Sequence, residues 1–250
     1  MKPCIIPIAL VASLCLAVPR ATAQESIGIA TSGTGTLVSD ELGLFGPPAS
    51  GSATGLPFYL SLSVDTSGLQ ANVQPGEAWF NSAVGLDGGL NGLIALNGRS
   101  WHWSSAEPVA NIGWSRAGNS ANMFTVGIDD ASGFRVYAHQ VLFPDDSSAQ
   151  FVDTDDYRDT VRFPNVRNRL NDDGSFYSAT YFYVTGNLAC AACPGGSREG
   201  LTWFISNDPV QAVWTVSAVP EPGAWALLLG GLGMLAARRA GKPGQATRRP

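Results

Sequence analysis

Apolar and polar residues alternate with a period of two through the middle of the chain. In the segment FYLSLSV every second residue from Phe58 to Val64 is apolar, and the same alternation recurs in residues 211–218. No segment between residues 24 and 217 keeps a 3.6-residue apolar period for three helical turns. This pattern predicts half-buried β-strands.

Turn residues between these segments predict hairpins. Residues 93–96 and 99–103 flank Asn97-Gly98, the pair best suited to positive φ at both centres of a type I′ turn. A second hairpin is predicted to join residues 123–128 to 134–143, and further strands are predicted at 175–184 and 201–205. We therefore predict an all-β fold of eight to ten antiparallel strands, a jelly-roll-like β-sandwich, as one domain over residues 24–217.

The N-terminus has the features of a secretory signal. Residues 1–23 contain Lys2, a short apolar run and then Ala21-Thr22-Ala23, which fits the small-x-small pattern of a cleavage site. This predicts a signal-peptide helix removed by signal peptidase, with Gln24 as the new N-terminus. A permanent N-terminal anchor is the alternative, and the short apolar core disfavours it.

The C-terminus has a second apolar segment. Residues 224–237 carry no charge and are followed by Arg238 and Arg239. As a helix they would rise about 21 Å, which is short for a bilayer core of about 30 Å, but the arginine stems can reach the interface. We predict a single transmembrane helix with the basic tail, residues 243–250, in the cytoplasm.

Charge is distributed unevenly. Between residues 24 and 219 there are 8 arginines, no lysine and 19 carboxylates, so this part carries about −11. Binding to nucleic acid or to an anionic lipid surface requires a basic patch, so the acidic body argues against both partners.

Cys190 and Cys193 form a C-x-x-C segment. Zinc would need two more ligands, and a redox helix after Cys190 is disfavoured by the Pro-Gly-Gly that follows Cys193. In an exported chain the simplest expectation is a disulfide between the two cysteines, with redox or metal chemistry as the alternatives.

The C-terminal features occur together in a known order. Val219-Pro220-Glu221-Pro222, the apolar segment and the arginines resemble the PEP-CTERM sorting signal of Gram-negative bacteria, here residues 218–242, although the tail after Arg239 is longer than the compact basic ending of such signals. The resemblance implies processing by an exosortase at or near Pro220, Glu221 and Pro222. It also implies delivery to the cell surface or matrix of a bacterium that makes exopolysaccharide. It says nothing about the chemistry of the body.

Two clusters in the body are candidate ligand sites. Asp153, Asp155, Asp156 and Asp159 could bind calcium through a flexible loop, although interleaved arginines favour a solvated, ion-paired loop. Tyr177, Tyr181 and Tyr183 share one face of a predicted strand and could stack on sugar rings, as could Trp101 and Trp103. A role in the core is the favoured alternative for these aromatic residues.

Motifs of common enzymes are absent from the sequence: there is no G-x-S-x-G, H-E-x-x-H or G-x-x-x-x-G-K. We predict a non-enzymatic surface or biofilm-matrix protein, with a structural or carbohydrate-contacting role and no required cofactor. The alternatives are a secreted polysaccharide hydrolase with the same sorting signal, and a periplasmic protein that stays anchored in the inner membrane.

Overall fold

The structure is a computed structural model. It describes residues 24–47, 51–82, 89–143, 149–167, 169–170, 176–177, 180–207 and 209–219. The predicted signal peptide and the predicted C-terminal helix lie outside these residues. Glu25–Ala218 forms one compact unit.

The described residues form an all-β structure of antiparallel strands without a helix, as the alternation predicts. The fifteen strands are β1 Gln24–Asp40, β2 Ala53–Asp65, β3 Gln70–Gln74, β4 Glu77–Asn81, β5 Leu90–Leu96, β6 Arg99–Ser105, β7 Val109–Ser115, β8 Ser120–Ile128, β9 Arg135–Leu142, β10 Val161–Val166, β11 Arg169–Leu170, β12 Phe176–Tyr177, β13 Thr180–Ala189, β14 Ser197–Ser206 and β15 Val210–Val219.

Thirteen of the strands belong to one sheet. Its order is β3-β4-β7-β8-β9-β13-β14-β1-β2-β5-β6, and β15 joins it by pairing with both β1 and β10. Most neighbours along this path are also neighbours in sequence, and two-residue turns connect β3 to β4 and β5 to β6. The predicted Asn97-Gly98 turn is confirmed: the two residues have φ of 49° and 79°, and they join β5 to β6.

The sheet curls so that its inner faces enclose a common core. Trp101 and Trp103 of β6 pack on Phe182 of β13, with ring centroids 5.9 and 5.2 Å apart. Nearby, Gln140 Nε2 of β9 donates hydrogen bonds to Thr31 Oγ1 at 2.9 Å and to the Leu60 carbonyl at 3.2 Å. Strands that are distant along the sheet therefore meet through their side chains.

The predicted strand over 58–64 is confirmed in β2. Its apolar set is buried while Tyr59 is 41% exposed; the buried residues are Phe58, Leu60, Leu62 and Val64. A fully buried leucine is worth about 2 kcal/mol relative to an exposed one, so a single strand in the correct register contributes substantially to stability.

The predicted number of strands was wrong. Eight to ten strands were too few, because short polar strands such as β3, which is exposed at every position, show no alternation. The strand predicted over 175–184 is described as β12 and β13, which have different partners, and residues 178 and 179 between them lie outside the described residues. Tyr177 pairs with Arg169 in a separate two-stranded sheet, whereas β13 pairs with β9 and β14. Alternation in a sequence carries no information about a change of partner.

Candidate functional site

The solvent side of β9, β13 and β14 carries a concentration of aromatic side chains. In β13, Phe182 and Val184 are buried, which turns Tyr181 and Tyr183 to the opposite side of the sheet. The strand register then places five aromatic residues together. We call them the outer aromatic face: Tyr137, His139, Tyr181, Tyr183 and Trp203.

One row of this face crosses three strands. Tyr183 pairs with Tyr137 of β9 on one side and with Trp203 of β14 on the other. The rings of Tyr137 and Tyr183 are stacked, with centroids 4.2 Å apart and an interplanar angle of 14°. Because these two rings cover each other, Trp203 offers the larger open surface, and it is 40% exposed.

Polar groups on this face are uncharged except at its edge. Burial raises the pKa of the Tyr181 hydroxyl, and burial together with the neighbouring Tyr137 raises that of Tyr183. Both hydroxyls therefore stay protonated and can donate hydrogen bonds at neutral pH. Arg135 Nη1 at the edge donates to the Tyr137 hydroxyl at 3.3 Å.

His139 forms a second row with aromatic neighbours. Its ring meets Phe124 edge-on at 5.6 Å and Tyr181 at 5.0 Å. Burial lowers the pKa of His139 to about 4, so the imidazole is neutral at physiological pH. The outer aromatic face therefore suits an uncharged ligand that has both an apolar surface and hydroxyl groups.

The other aromatic candidates have different positions. Trp103 is buried and stacks on Trp101 at 5.1 Å, so the favoured core role is confirmed for this pair. Tyr177 lies in β12, apart from Tyr181 and Tyr183 in β13, so the structure does not place the three tyrosines on one strand.

The aspartate cluster lies in a loop that Tyr157 anchors. Tyr157 is buried, and its hydroxyl donates to Glu25 Oε2 at 2.6 Å. Trp214 Nε1 donates to the Tyr157 carbonyl at 2.7 Å. Burial, and then the hydrogen bond to Glu25, raise the pKa of Tyr157. The segment is therefore fixed to β1 and β15 at this residue.

Protein groups already engage three of the four aspartates. Asp155 forms an ion pair with Arg116 at 2.6 Å, Asp156 accepts from the backbone N–H of Arg158 at 2.9 Å, and Asp159 accepts from the Thr154 hydroxyl. Within the described ranges, no group of three or more His, Cys, Asp or Glu side chains is arranged to hold a metal ion. Calcium binding through Asp153, Asp155, Asp156 and Asp159 stays a hypothesis.

A polar groove of about 620 Å³ lies beside this loop. It runs between the β3–β4 turn, the β7–β8 turn and the aspartate segment. Its polar lining includes Gln74, Glu77, Ser115, Arg116, Asp153 and Asp155.

Cys190 and Cys193 are joined by a disulfide in the β13–β14 connection. The backbone N–H of Cys190 donates to the Gly196 carbonyl at 2.9 Å, and that of Cys193 donates to the Cys190 carbonyl at 3.1 Å. The bridge closes a tight loop at the end of the hairpin that carries Tyr183 and Trp203.

The predicted processing sites lie outside the described residues. This applies to Ala21 and Ala23 at the signal cleavage site, to Pro220, Glu221 and Pro222, and to Arg238 and Arg239. In the part of the chain that the structure describes, no helix has the length and apolar character needed to span a membrane.

Sequence reasoning missed three aromatic residues on the outer side of the sheet. Tyr137, Trp203 and Trp79 each occupy a solvent-facing position in an alternating strand, so the signal was present in the pattern. Their proximity to other residues depends on long-range pairing, which no local pattern reveals.

Comparisons of the chain with protein-family models, with curated protein sequences and with solved structures gave no match.

Proposed function

We propose that this chain is an exported protein of the cell surface or biofilm matrix, with a PEP-CTERM sorting signal at residues 218–242. In this proposal signal peptidase removes residues 1–23 at Ala21-Thr22-Ala23. An exosortase then processes the chain at or near Pro220, Glu221 and Pro222, while Arg238 and Arg239 hold the transient anchor in the inner membrane. The order of these features along the sequence and the uneven distribution of charge support the proposal.

The β-domain contacts matrix carbohydrate in this proposal, and it has no catalytic role. The supporting observation is the row Tyr137–Tyr183–Trp203 on the solvent side of the sheet. An exposed indole can pack on the apolar face of a sugar ring, and protonated tyrosine hydroxyls can form hydrogen bonds with its hydroxyl groups.

The finer description of the fold, a jelly-roll-like β-sandwich, belongs to the same proposal, and the core enclosed by the curled sheet supports it.

Retention on exopolysaccharide tests this function. Protein purified from cells that express the full chain is passed over immobilised exopolysaccharide from the producing bacterium. We expect retention of the wild type, and weaker retention of Trp203→Ala and Tyr183→Ala, because each variant removes a ring from the row.

Tyr59→Ala is the matched control. Tyr59 is 41% exposed, close to the 40% of Trp203, but it lies on β2, outside the outer aromatic face. Equal loss of retention in all three variants, or no loss in any of them, would refute the assignment of the carbohydrate contact to this face.

The same protein preparation distinguishes carbohydrate binding without catalysis from the enzymatic alternative. A polysaccharide hydrolase would use two carboxylates, and the polar groove holds Glu77 and Asp153. Size-exclusion chromatography of the exopolysaccharide after prolonged incubation measures its chain length. We expect no shortening; shortening that Glu77→Gln abolishes would establish the hydrolase instead.

A further inference from the structure

Trp79 of β4 lies flat on the outer side of the sheet. Its strand partner is Gly113 of β7, and a Cβ atom at Gly113 would overlap Cζ3 of the indole. The six-membered ring therefore covers the bare backbone of a residue that has no side chain. Trp79 is still 37% exposed, so the other face of the indole is open to solvent.

Amide side chains surround this indole. Asn72 pairs with Trp79 on the β3 side, and Asn122 pairs with Gly113 on the β8 side. Asn122 Oδ1 also lies over Gly113, where a Cβ atom would overlap it. One row along, Asn111 Nδ2 donates to Asn81 Oδ1 at 2.6 Å, and both side chains are exposed.

The polar groove begins on the same side of β4. Glu77 precedes Trp79 by two residues and therefore shares its solvent-facing side. Glu77 pairs with Ser115, and both residues line the groove of about 620 Å³ together with Gln74 and Arg116. The flat indole thus continues into a concave polar surface.

We propose that Trp79, Asn72 and Asn122 form a binding site for a pyranose ring of an uncharged polysaccharide, and that the groove takes the neighbouring sugar units. A pyranose ring has a flat apolar face that can pack on the open side of the indole, and amides that both donate and accept hydrogen bonds match its hydroxyl groups.

The charge of the body selects for an uncharged polymer. The body carries about −11, and Glu77 and Asp153 line the groove beside the Arg116–Asp155 ion pair, so a polyanionic chain is repelled. The site lies on β3, β4, β7 and β8, apart from Tyr183 and Trp203 on β13 and β14. The inference takes its class of ligand, a carbohydrate, from the proposed function. The residues of the site are different from those of the outer aromatic face.

Calorimetric titration with defined polysaccharides tests the site. The probes are three neutral polymers, a β-glucan, a mannan and a galactan, and the polyanion alginate. The proteins are the wild type, Trp79→Ala, Trp203→Ala and Tyr59→Ala, each purified from cells that express the full chain. Thermal unfolding confirms that the variants are folded, which is expected because Trp79 is on the surface while Ala78 and Phe80 remain in the core.

We expect the wild type to bind at least one neutral polymer and to bind alginate more weakly. Trp79→Ala should weaken neutral binding by about tenfold or more, as truncation of a central tryptophan typically does, while Tyr59→Ala should leave it unchanged. Unchanged affinity in Trp79→Ala would overturn the site, as would alginate binding as tight as neutral binding.

The outcomes also separate this inference from the proposed function. Loss of affinity in Trp203→Ala but not in Trp79→Ala would overturn the Trp79 site alone. No binding by the wild type to any of these polymers or to the exopolysaccharide would overturn both. A dimer that Trp79→Ala dissociates in sedimentation velocity would identify a second copy of the chain as the occupant and would overturn the sugar site.

Discussion

The position of His139 on β9 determines the protonation of its imidazole. Its ring packs against Phe124 and Tyr181, and burial lowers its pKa from 6.5 to about 4. As pH falls below 6.5 the unfolded chain takes up a proton on this imidazole, whereas the folded chain does not until pH is near 4. Stability is therefore full above pH 6.5 and decreases between pH 6.5 and pH 4.

Replacement of His139 should remove this part of the pH dependence. Between pH 7.5 and pH 5 we expect the wild type to lose about 2 kcal/mol of unfolding free energy through this group, and His139→Gln to lose correspondingly less. Urea unfolding at the two pH values measures the difference. His102→Gln is the control, because His102 is exposed on β6; an equal effect in both variants would contradict the role of burial.

The turn between β5 and β6 sets the register of these two strands. Asn97 and Gly98 both have positive φ, and the turn aligns Leu96 with Arg99 and Trp103 with Gly92. Trp103 covers the bare backbone of Gly92, since a Cβ atom there would overlap its indole. The turn thus places the ring that packs on Phe182 in the core.

Gly98→Ala should destabilise the protein without any loss of contact. Nothing lies within 4 Å of a Cβ atom at Gly98, so the cost comes from the φ of 79° and should be about 1 kcal/mol. Gly46→Ala is the control, because its site is equally open and its φ is not in the positive range. Urea unfolding measures the free energy of unfolding of both variants. Equal values would contradict an energetic cost of positive φ at residue 98.

The elements that the sequence predicts correctly are those with strong local signals. The Asn97-Gly98 turn and the alternation from Phe58 to Val64 are encoded by neighbouring residues. The sites on the outer side of the sheet are not, because Tyr183 meets Trp203 only through the pairing of β13 with β14. Trp79 likewise needs Gly113, which is 34 positions away in the sequence.

The proposed processing at both ends concerns the chain from its first residues to its last. Intact mass spectrometry of the mature protein from wild-type and exosortase-deleted cells tests it. We expect the wild-type protein to begin at Gln24 and to lack Arg238 and Arg239, and the deletion strain to retain them. Retention of these arginines in wild-type cells would support a permanent inner-membrane anchor instead.

Hydroxyl-radical footprinting with mass spectrometry reports which side chains a bound polymer covers, and so tests carbohydrate contact at Trp203 and Trp79 together. With exopolysaccharide from the producing bacterium added to the purified protein, we predict reduced oxidation of Trp203 on the outer aromatic face and of Trp79 on its platform. Tyr59 has similar exposure and should be oxidised at an unchanged rate. Unchanged oxidation of both tryptophans, or equal protection of Tyr59, would contradict carbohydrate contact through the Trp203 and Trp79 sites.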